Sequence, residues 1–409
     1  VLTRNYLKLK QFISLGQSVL VLGPRGCGKT YYLSRVIDSL SNSISIDLLK
    51  ASEYERYLRN SQLLEKEIQA RLEGKSILTV FIDEIQRLPN LLNEVHRLIE
   101  LYKPNIQFIL TGSSARKLKD ENANLLAGRA LRIDFFPLDI NEIDLDKDLS
   151  LVLQFGCLPQ VYTESNIDLK TAFLKTYVGT YLQEEIQQEA RLKDMESFAR
   201  FLELSALENA SNVNFLKMAK ALGISDLTAK SYYQLLVDTL IAYEIPAWHY
   251  SIRKQIHKSS KYYLFDNGVI NALTGEINSE LRSANYRYGK LFENFVVTQL
   301  IQALSKEDSP LKLYHYREYS GREVDLIAQK NAHSPPIAIE IKSQTSPTAS
   351  DVKSLISFIK ENKNSKGIVI CQTPRMYVDE GIVFAPVKEA FKKIIEFGNI
   401  SRDGSAYPT

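Results

Sequence analysis

Residues 23–30 read Gly23-Pro24-Arg25-Gly26-Cys27-Gly28-Lys29-Thr30, a complete G-x-x-x-x-G-K-T phosphate-binding pattern. Its flanks constrain the fold as much as the loop does. Val19–Leu22 is a short apolar strand, and Thr30–Leu40 reads as a helix. In a strand–loop–helix unit of this kind the glycines let backbone N–H groups turn inward at a helix N-terminus and cradle phosphates. Lys29 adds a point charge at the β/γ-phosphates, and the Thr30 hydroxyl takes a place on Mg²⁺. The segment predicts a nucleoside triphosphate site.

The second half of such a site follows at the expected distance. Ile77-Leu78-Thr79-Val80-Phe81-Ile82 is a buried-type strand ending in Asp83-Glu84. Open parallel sheets carry their chemistry at the carboxyl ends of strands, which puts both carboxylates beside the phosphate loop. Asp83 is placed to hold the magnesium shell and Glu84 to polarise the attacking water. A further strand, Ile106–Leu110, ends in Thr111-Gly112-Ser113-Ser114, where Thr111 or Ser113 can orient that water or sense the γ-phosphate. Arg129 precedes one more strand, Leu131–Phe136, and is a candidate for stabilising transition-state charge in its own subunit or a neighbour's. Arg25, Arg87 and Arg116 compete for that role.

Strands near 18–22, 43–47, 77–82, 106–111 and 130–135 alternate with helical patterns such as Ser52–Arg71 and Leu91–Leu101. The alternation predicts an α/β domain over residues 1–145, with a parallel sheet covered on both faces. An extra strand between the phosphate-loop strand and the Asp-Glu strand, together with Glu84, points to the ATP-hydrolysing branch of P-loop proteins.

At 409 residues the chain is long enough for two or three domains, each able to bury a core. The net charge of +3 implies no strong global attraction to nucleic acid, so any such surface is local. Cys27, Cys157 and Cys371 match no metal spacing and suit a reducing cytoplasm. No apolar run reaches transmembrane length and no signal-peptide core precedes the first strand, so no membrane association is expected.

From residue 146 to 250 the pattern becomes helical, with amphipathic stretches over Thr171–Gln188 and Met195–Ala210. Phe215–Leu222 is a short helix closed by Gly223, and Ser225 caps a second over Asp226–Leu236. This is a helix-turn-helix, with Ile241–Pro246 placed to start a wing. In DNA readers the second helix enters the major groove, and here it would offer Thr228, Lys230, Ser231 and Gln234. One lysine is thin electrostatics for a phosphate backbone, and a protein-contact role stands equally open. The segment His249–Tyr263 carries Arg253, Lys254, Lys258 and Lys261 among Tyr250, Tyr262 and Tyr263. It reads either as a grip on a nucleic-acid strand or as a hairpin with a solvated basic edge.

Residues 251–400 form a third unit, followed by a tail, 401–409. Glu293 sits in a helical stretch, Gly289–Phe295. The strands Arg322–Ala328 and Ile337–Lys342 then bring Asp325, Glu340 and Lys342. Side chains repeat every two residues along a strand, so Lys342 shares a face with Glu340, and Asp325 and Glu340 can each project toward one metal. Carboxylates on Mg²⁺ with a lysine near the water are what in-line phosphodiester hydrolysis requires.

The ordered set of motifs resembles a prokaryotic group of AAA-type ATPases that joins a P-loop domain to a winged helix and a C-terminal domain of restriction-endonuclease type, PD-(D/E)XK. The resemblance rests on Gly23–Thr30, Phe81–Glu84, Leu110–Ser114, Leu126-Ala127-Gly128-Arg129, Phe155–Pro159 and the helix-turn-helix. It continues through Lys261–Gly268, Gly289–Asn294, Glu323-Val324-Asp325 and Ile339–Lys342. It implies an ATP-driven protein acting near DNA, with Lys29, Thr30, Asp83, Glu84 and Arg129 in the ATPase site. For a nuclease-like site it implies Glu293, Asp325, Glu340 and Lys342.

The expectation is thus an Mg-ATP hydrolase that works on DNA, assembled as a homo-oligomer because sites of this type are often completed by a neighbour's arginine. One alternative is a nucleotide-controlled switch for a protein partner, with an inert C-terminal domain. Another is an endonuclease with a regulatory ATP site.

Overall fold

The structure, a computed structural model, describes residues 4, 6–72, 77–114, 128–182, 194–249, 259–283, 285–318 and 320–399. Arg116, Leu126, Ala127, Tyr250, Arg253, Lys254, Lys258, the last part of the Thr171–Gln188 stretch and the tail 401–409 lie outside the described residues.

The chain opens with α1 (Leu7–Ser14), β1 (Ser18–Leu22), α2 (Lys29–Asp38) and β2 (Ser43–Asp47). Then come α3 (Ala51–Arg59), α4 (Leu63–Gln69), β3 (Leu78–Asp83), α5 (Leu91–Tyr102), β4 (Ile106–Gly112) and β5 (Ala130–Asp134). The five strands form a parallel sheet in the order β2-β3-β4-β1-β5. β3 and β4 are buried along their whole length, which explains their unbroken apolar runs. Because β4 pairs with both β1 and β3, the ends of all three strands converge on the phosphate loop. The single helix expected over Ser52–Arg71 is instead two, since Asn60 lies in an extended conformation and ends the first. Short polar side chains compete with helical bonds in this way.

The second region holds α6 (Leu145–Phe155), α7 (Pro159–Thr163), α8 (Ile167–Thr176), a π-helical turn over Tyr177–Leu182 and α9 (Met195–Leu207). Next are α10 (Phe215–Leu222), α11 (Asp226–Asp238) and an antiparallel pair, β6 (Ala242–Ile245) with β7 (Lys261–Leu264). Gly223 turns the chain between α10 and α11 at φ 69°, and the Ser225 hydroxyl accepts the Thr228 N–H at 3.0 Å. Helix α12 (Asn267–Leu273) follows, with Asp266 as its N-cap.

The third region begins with the long helix α13 (Tyr286–Lys306), then β8 (Lys312–Arg317), β9 (Glu323–Gln329) and β10 (Ile337–Ile341). It ends with α14 (Lys353–Glu361), β11 (Lys366–Ile370), β12 (Tyr377–Asp379), β13 (Ile382–Ala385) and α15 (Val387–Asn399). Its six-stranded sheet is mixed, in the order β12-β13-β11-β10-β9-β8. Ala247, just past β6, bridges His315 of β8, so the segment after β6 is joined to this sheet. Among the described residues no helix is long and apolar enough to cross a membrane.

Candidate functional site

The phosphate loop runs from the end of β1 into α2. Gly26 and Gly28 take φ of 80° and 86°, a left-handed backbone that side chains disfavour. A Cβ on Gly23 would stand 1.9 Å from the Phe135 carbonyl oxygen, so only glycine fits there. The buried Lys29 ammonium donates to the carbonyls of Gly23 (2.6 Å) and Pro24 (3.1 Å), across the mouth of the loop. Arg4 donates to the Cys27 carbonyl at 2.9 Å, and the Tyr177 hydroxyl donates to that of Arg25 at 3.0 Å.

Opposite Lys29, one network joins three elements. The Thr30 hydroxyl donates to one Asp83 carboxylate oxygen at 2.9 Å, and the buried Thr111 hydroxyl donates to the other. The Thr111 oxygen also accepts the Glu84 N–H at 2.9 Å. Burial raises the Asp83 carboxyl above its usual range, against the pull of the Thr111 and Thr30 hydroxyls. Glu84 sits in a left-handed conformation, φ 57°. Its carboxylate accepts from the Gln86 amide and from the Ser113 hydroxyl (3.3 Å), which itself accepts from Gln86 at 2.9 Å. Oxygen-only donors in Thr30 and Asp83 suit Mg²⁺, and the Lys29 ammonium beside the loop amides suits phosphate.

The structure therefore brings together Gly23–Thr30, Asp83, Glu84, Thr111 and Ser113. Sequence reasoning missed Gln86, Arg4 and Tyr177. Only the 3-10 turn Ile85–Arg87 carries Gln86 back onto Glu84. Arg129 pairs with Glu100 of α5 at 2.6 Å, Arg87 donates to the Leu48 carbonyl, and Arg25 is exposed.

In the third region β9 and β10 are antiparallel, and their register ends with Ile339 opposite Leu326, the residues next to Glu340 and Asp325. The Asp325 carboxylate accepts the Ile341 N–H at 2.8 Å. Burial and the neighbouring Glu340 and Glu293 hold its carboxyl well above the usual range. Glu340 is 7% exposed; its Oε1 accepts from Lys342 at 2.8 Å, while its buried Oε2 has no hydrogen-bond partner. Glu293 of α13 accepts from the Tyr263 hydroxyl at 2.9 Å and lies 3.3 Å from the Lys290 ammonium. Lys261 of β7, 2% exposed, stands 2.5 Å from Glu323 and 3.8 Å from Glu293. Lys261 and Tyr263 are thus turned inward, which corrects the reading of these two as part of a surface grip on nucleic acid. Among the described residues no group of three or more His, Cys, Asp or Glu side chains stands ready to hold a metal.

Residues 16–144 match the family model described as an AAA domain. The N-terminal domain is therefore similar to AAA domains. The regions that follow this AAA domain match two models described as domains of unknown function, DUF8612 over residues 146–280 and DUF4143 over 288–390. An uncharacterised protein of Mycobacterium tuberculosis is 26% identical over 84% of this chain and 74% of its own length. One from Haemophilus influenzae is also 26% identical, over 80% of this chain and 83% of its own. Among solved structures, the Aeropyrum pernix ORC1 protein in complex with DNA is 12% identical, with a TM-score of 0.32 over 66% of this chain and 91% of that one.

Proposed function

We propose that the chain is an Mg-ATP hydrolase whose nucleotide cycle moves the helix-turn-helix and the C-terminal domain on DNA. The observation that carries this reading is the network Thr30–Asp83–Thr111–Glu84 beside Lys29 and the loop amides. Thr30 and Asp83 hold Mg²⁺, which when bound neutralises charge on the β/γ-phosphates. Lys29 releases the Gly23 and Pro24 carbonyls and turns to those phosphates. Glu84 orients and polarises the attacking water, and Gln86 and Ser113 fix its carboxylate. Thr111 ties the backbone of Glu84 to Asp83. Arg129 completes a neighbouring copy's site in a homo-oligomer.

The α10–α11 pair and the β6–β7 hairpin act as a winged helix that meets DNA. The β9–β10 carboxylates act as a nuclease-like centre of PD-(D/E)XK type, with Asp325 and Glu340 toward Mg²⁺, Lys342 near the water and Glu293 beside them. The second reading, a switch that binds a protein partner, draws support from α10 and α11 themselves. Lys230 pairs with Asp226 at 3.5 Å, Gln234 bonds Asp238, and Leu216 and Leu227 are 72% and 71% exposed.

The deciding experiment is ATP turnover with and without duplex DNA, in the wild type, Glu84→Gln and Lys29→Ala. A general base contributes on the order of 10²–10⁴ in rate, so Glu84→Gln loses at least about 100-fold while still binding nucleotide. Stimulation by DNA supports the first reading, and indifference to DNA supports the second. Mg²⁺-dependent DNA cleavage that Asp325→Ala abolishes identifies the C-terminal centre as a nuclease; no cleavage by wild type leaves it a binding module.

A further inference from the structure

The phosphate loop alternates in its backbone. Gly26 and Gly28 lie at φ 80° and 86°, while Arg25 and Cys27 stay out of the left-handed region. Successive N–H groups in such an alternation can face one concavity that takes an anion. A peptide unit is planar and trans, so its C=O and its N–H point in opposite directions. Whatever holds the carbonyl of one residue therefore aims the N–H of the next.

The carbonyls before the two left-handed glycines are held from outside the loop. The Tyr177 hydroxyl donates to the Arg25 carbonyl at 3.0 Å, and Arg4 donates to the Cys27 carbonyl at 2.9 Å. Both donors are themselves fixed. Tyr177, 2% exposed, sits in the π-helical turn after α8 with its ring 6.3 Å from that of Phe173 and 6.4 Å from that of Phe265. Arg4 also donates to the carbonyls of Phe136 (2.7 Å) and Pro137 (3.2 Å), pairs with Glu142 at 3.2 Å and lies 4.8 Å from the Phe135 ring centroid. With the carbonyls turned to these donors, the Gly26 and Gly28 N–H groups point away from Tyr177 and Arg4. Among the described residues neither N–H donates to a protein acceptor.

We propose that Tyr177 and Arg4 are positioning residues for the phosphate loop, each holding one carbonyl so that the next amide, Gly26 N–H or Gly28 N–H, is set toward phosphate before nucleotide arrives. The proposal rests on the nucleotide-binding reading given above. Arg4 precedes the stretch 16–144 that matches the AAA domain and Tyr177 lies beyond it, so segments flanking that domain supply part of the loop's affinity. A donor oriented in advance costs no ordering when the ligand binds. Without the Tyr177 hydroxyl, the Arg25-Gly26 peptide is free to turn its carbonyl oxygen to the phosphate, where like charge opposes binding.

The test reads the two amides separately. Arg25-Gly26 and Cys27-Gly28 are the only Arg-Gly and Cys-Gly pairs in the sequence. Carbonyl-labelled (¹³C) arginine with ¹⁵N-glycine therefore reports the Gly26 amide alone by NMR, and labelled cysteine reports that of Gly28. In the wild type, ADP moves both amide protons downfield, as charge-assisted hydrogen bonds to phosphate do. Tyr177→Phe keeps the ring and deletes the hydroxyl. The Gly26 shift is lost, the Gly28 shift stays, and calorimetry gives an ADP affinity about 3- to 10-fold lower, the worth of one hydrogen bond. Arg4→Met with Glu142→Gln removes the charge together with its partner and does the converse; if it does not fold, Tyr177→Phe decides alone. A wild-type Gly26 shift and affinity in Tyr177→Phe overturns the proposal, and so does a retained Gly28 shift in the folded Arg4 variant. Equal loss at both glycines in Tyr177→Phe, which general softening of the loop would give, overturns it too. Wild-type ADP shifts with no ATP turnover sink the hydrolase reading and leave this inference standing. ATP turnover with both amides unmoved by ADP sinks this inference alone.

Discussion

The Thr111 hydroxyl serves two neighbours at once, donating to Asp83 and accepting from the Glu84 N–H. Glu84 is held at φ 57°, a conformation that costs a residue with a Cβ roughly 1–2 kcal/mol. Thr111→Val keeps the shape and deletes both bonds. It leaves a part-buried N–H and a buried carboxylate oxygen unpaired, the latter a loss of about 1–3 kcal/mol. Urea unfolding of this variant should show a lower midpoint, and its kcat for ATP should fall while its KM stays near wild type, because nucleotide contacts are untouched. Unchanged kcat would mean the hydroxyl has no part in placing Glu84. This site was legible residue by residue where a motif fixes spacing, as in Gly23–Thr30 and Asp83-Glu84. Gln86 was not, since two residues past Asp-Glu is an unremarkable polar position until the 3-10 turn folds it back on Glu84.

Asp266 joins two elements that the sequence order keeps apart. It caps α12 by accepting the Val269 N–H at 3.1 Å and holds the turn after α6 by accepting the Cys157 N–H at 2.6 Å. Leu158 and Pro159, next along that turn, pack within 3.7 Å and 3.8 Å of where Cβ atoms on Gly26 and Gly28 would stand. Burial pushes the Asp266 carboxyl up to about 6, against the backbone N–H donors around it. The unfolded chain releases that proton near 3.9, so between about pH 4 and pH 6 the folded chain holds a proton the unfolded chain has lost. The stabilisation from this proton is full below about pH 4 and is lost as pH rises through about 6, a span worth at most ~3 kcal/mol. The urea midpoint of wild type minus that of Asp266→Asn should therefore shrink between pH 4.5 and pH 6.5; a constant difference would refute the assignment. Gly156→Ala should unfold at a markedly lower temperature than wild type at every pH, since its Cβ would meet Asp266 Oδ1 at 2.0 Å with φ at 78°. Strands and caps of this kind were legible from apolar runs and from Gly223 and Ser225, whose chemistry is local. The direction of β7 was not. Lys261 and Tyr263 look like surface residues in sequence, and only the approach of β7 to α13 and β9 supplies Glu293 and Glu323 to bury them.

Helix α13 ties the three regions together through polar residues that a helical pattern would assign to solvent. Asn294 is fully buried, donating to the Leu264 carbonyl (3.0 Å) and to Asn267 (2.8 Å) while accepting from Asn209 (3.0 Å). One turn on, Gln299 donates to the Leu138 carbonyl at 3.0 Å and accepts the Ile140 N–H at 2.8 Å, both from the exit of the AAA domain. Lys306 closes the row with Asp139 at 2.5 Å and Glu142 at 3.6 Å. One apolar cluster runs without a break from Leu9 through Phe155 and Phe292 to Ile394. The order of three regions could be read from the alternation of strand and helix patterns, but this junction could not, because its partners lie from 27 to 167 residues apart and carry no motif. Regions joined by buried polar networks and a shared core lose their stability together, whereas regions on linkers melt separately. Calorimetry of the full chain should accordingly give one transition with agreeing calorimetric and van't Hoff enthalpies. Gln299→Leu strands a buried N–H and a buried carbonyl, costing about 1–3 kcal/mol for each. It should lower that single transition by a few degrees without splitting it. Two separate transitions in the wild type, or a Gln299→Leu scan in which the AAA domain melts unchanged, would show that the regions are independent and that α13 is only a neighbour to them.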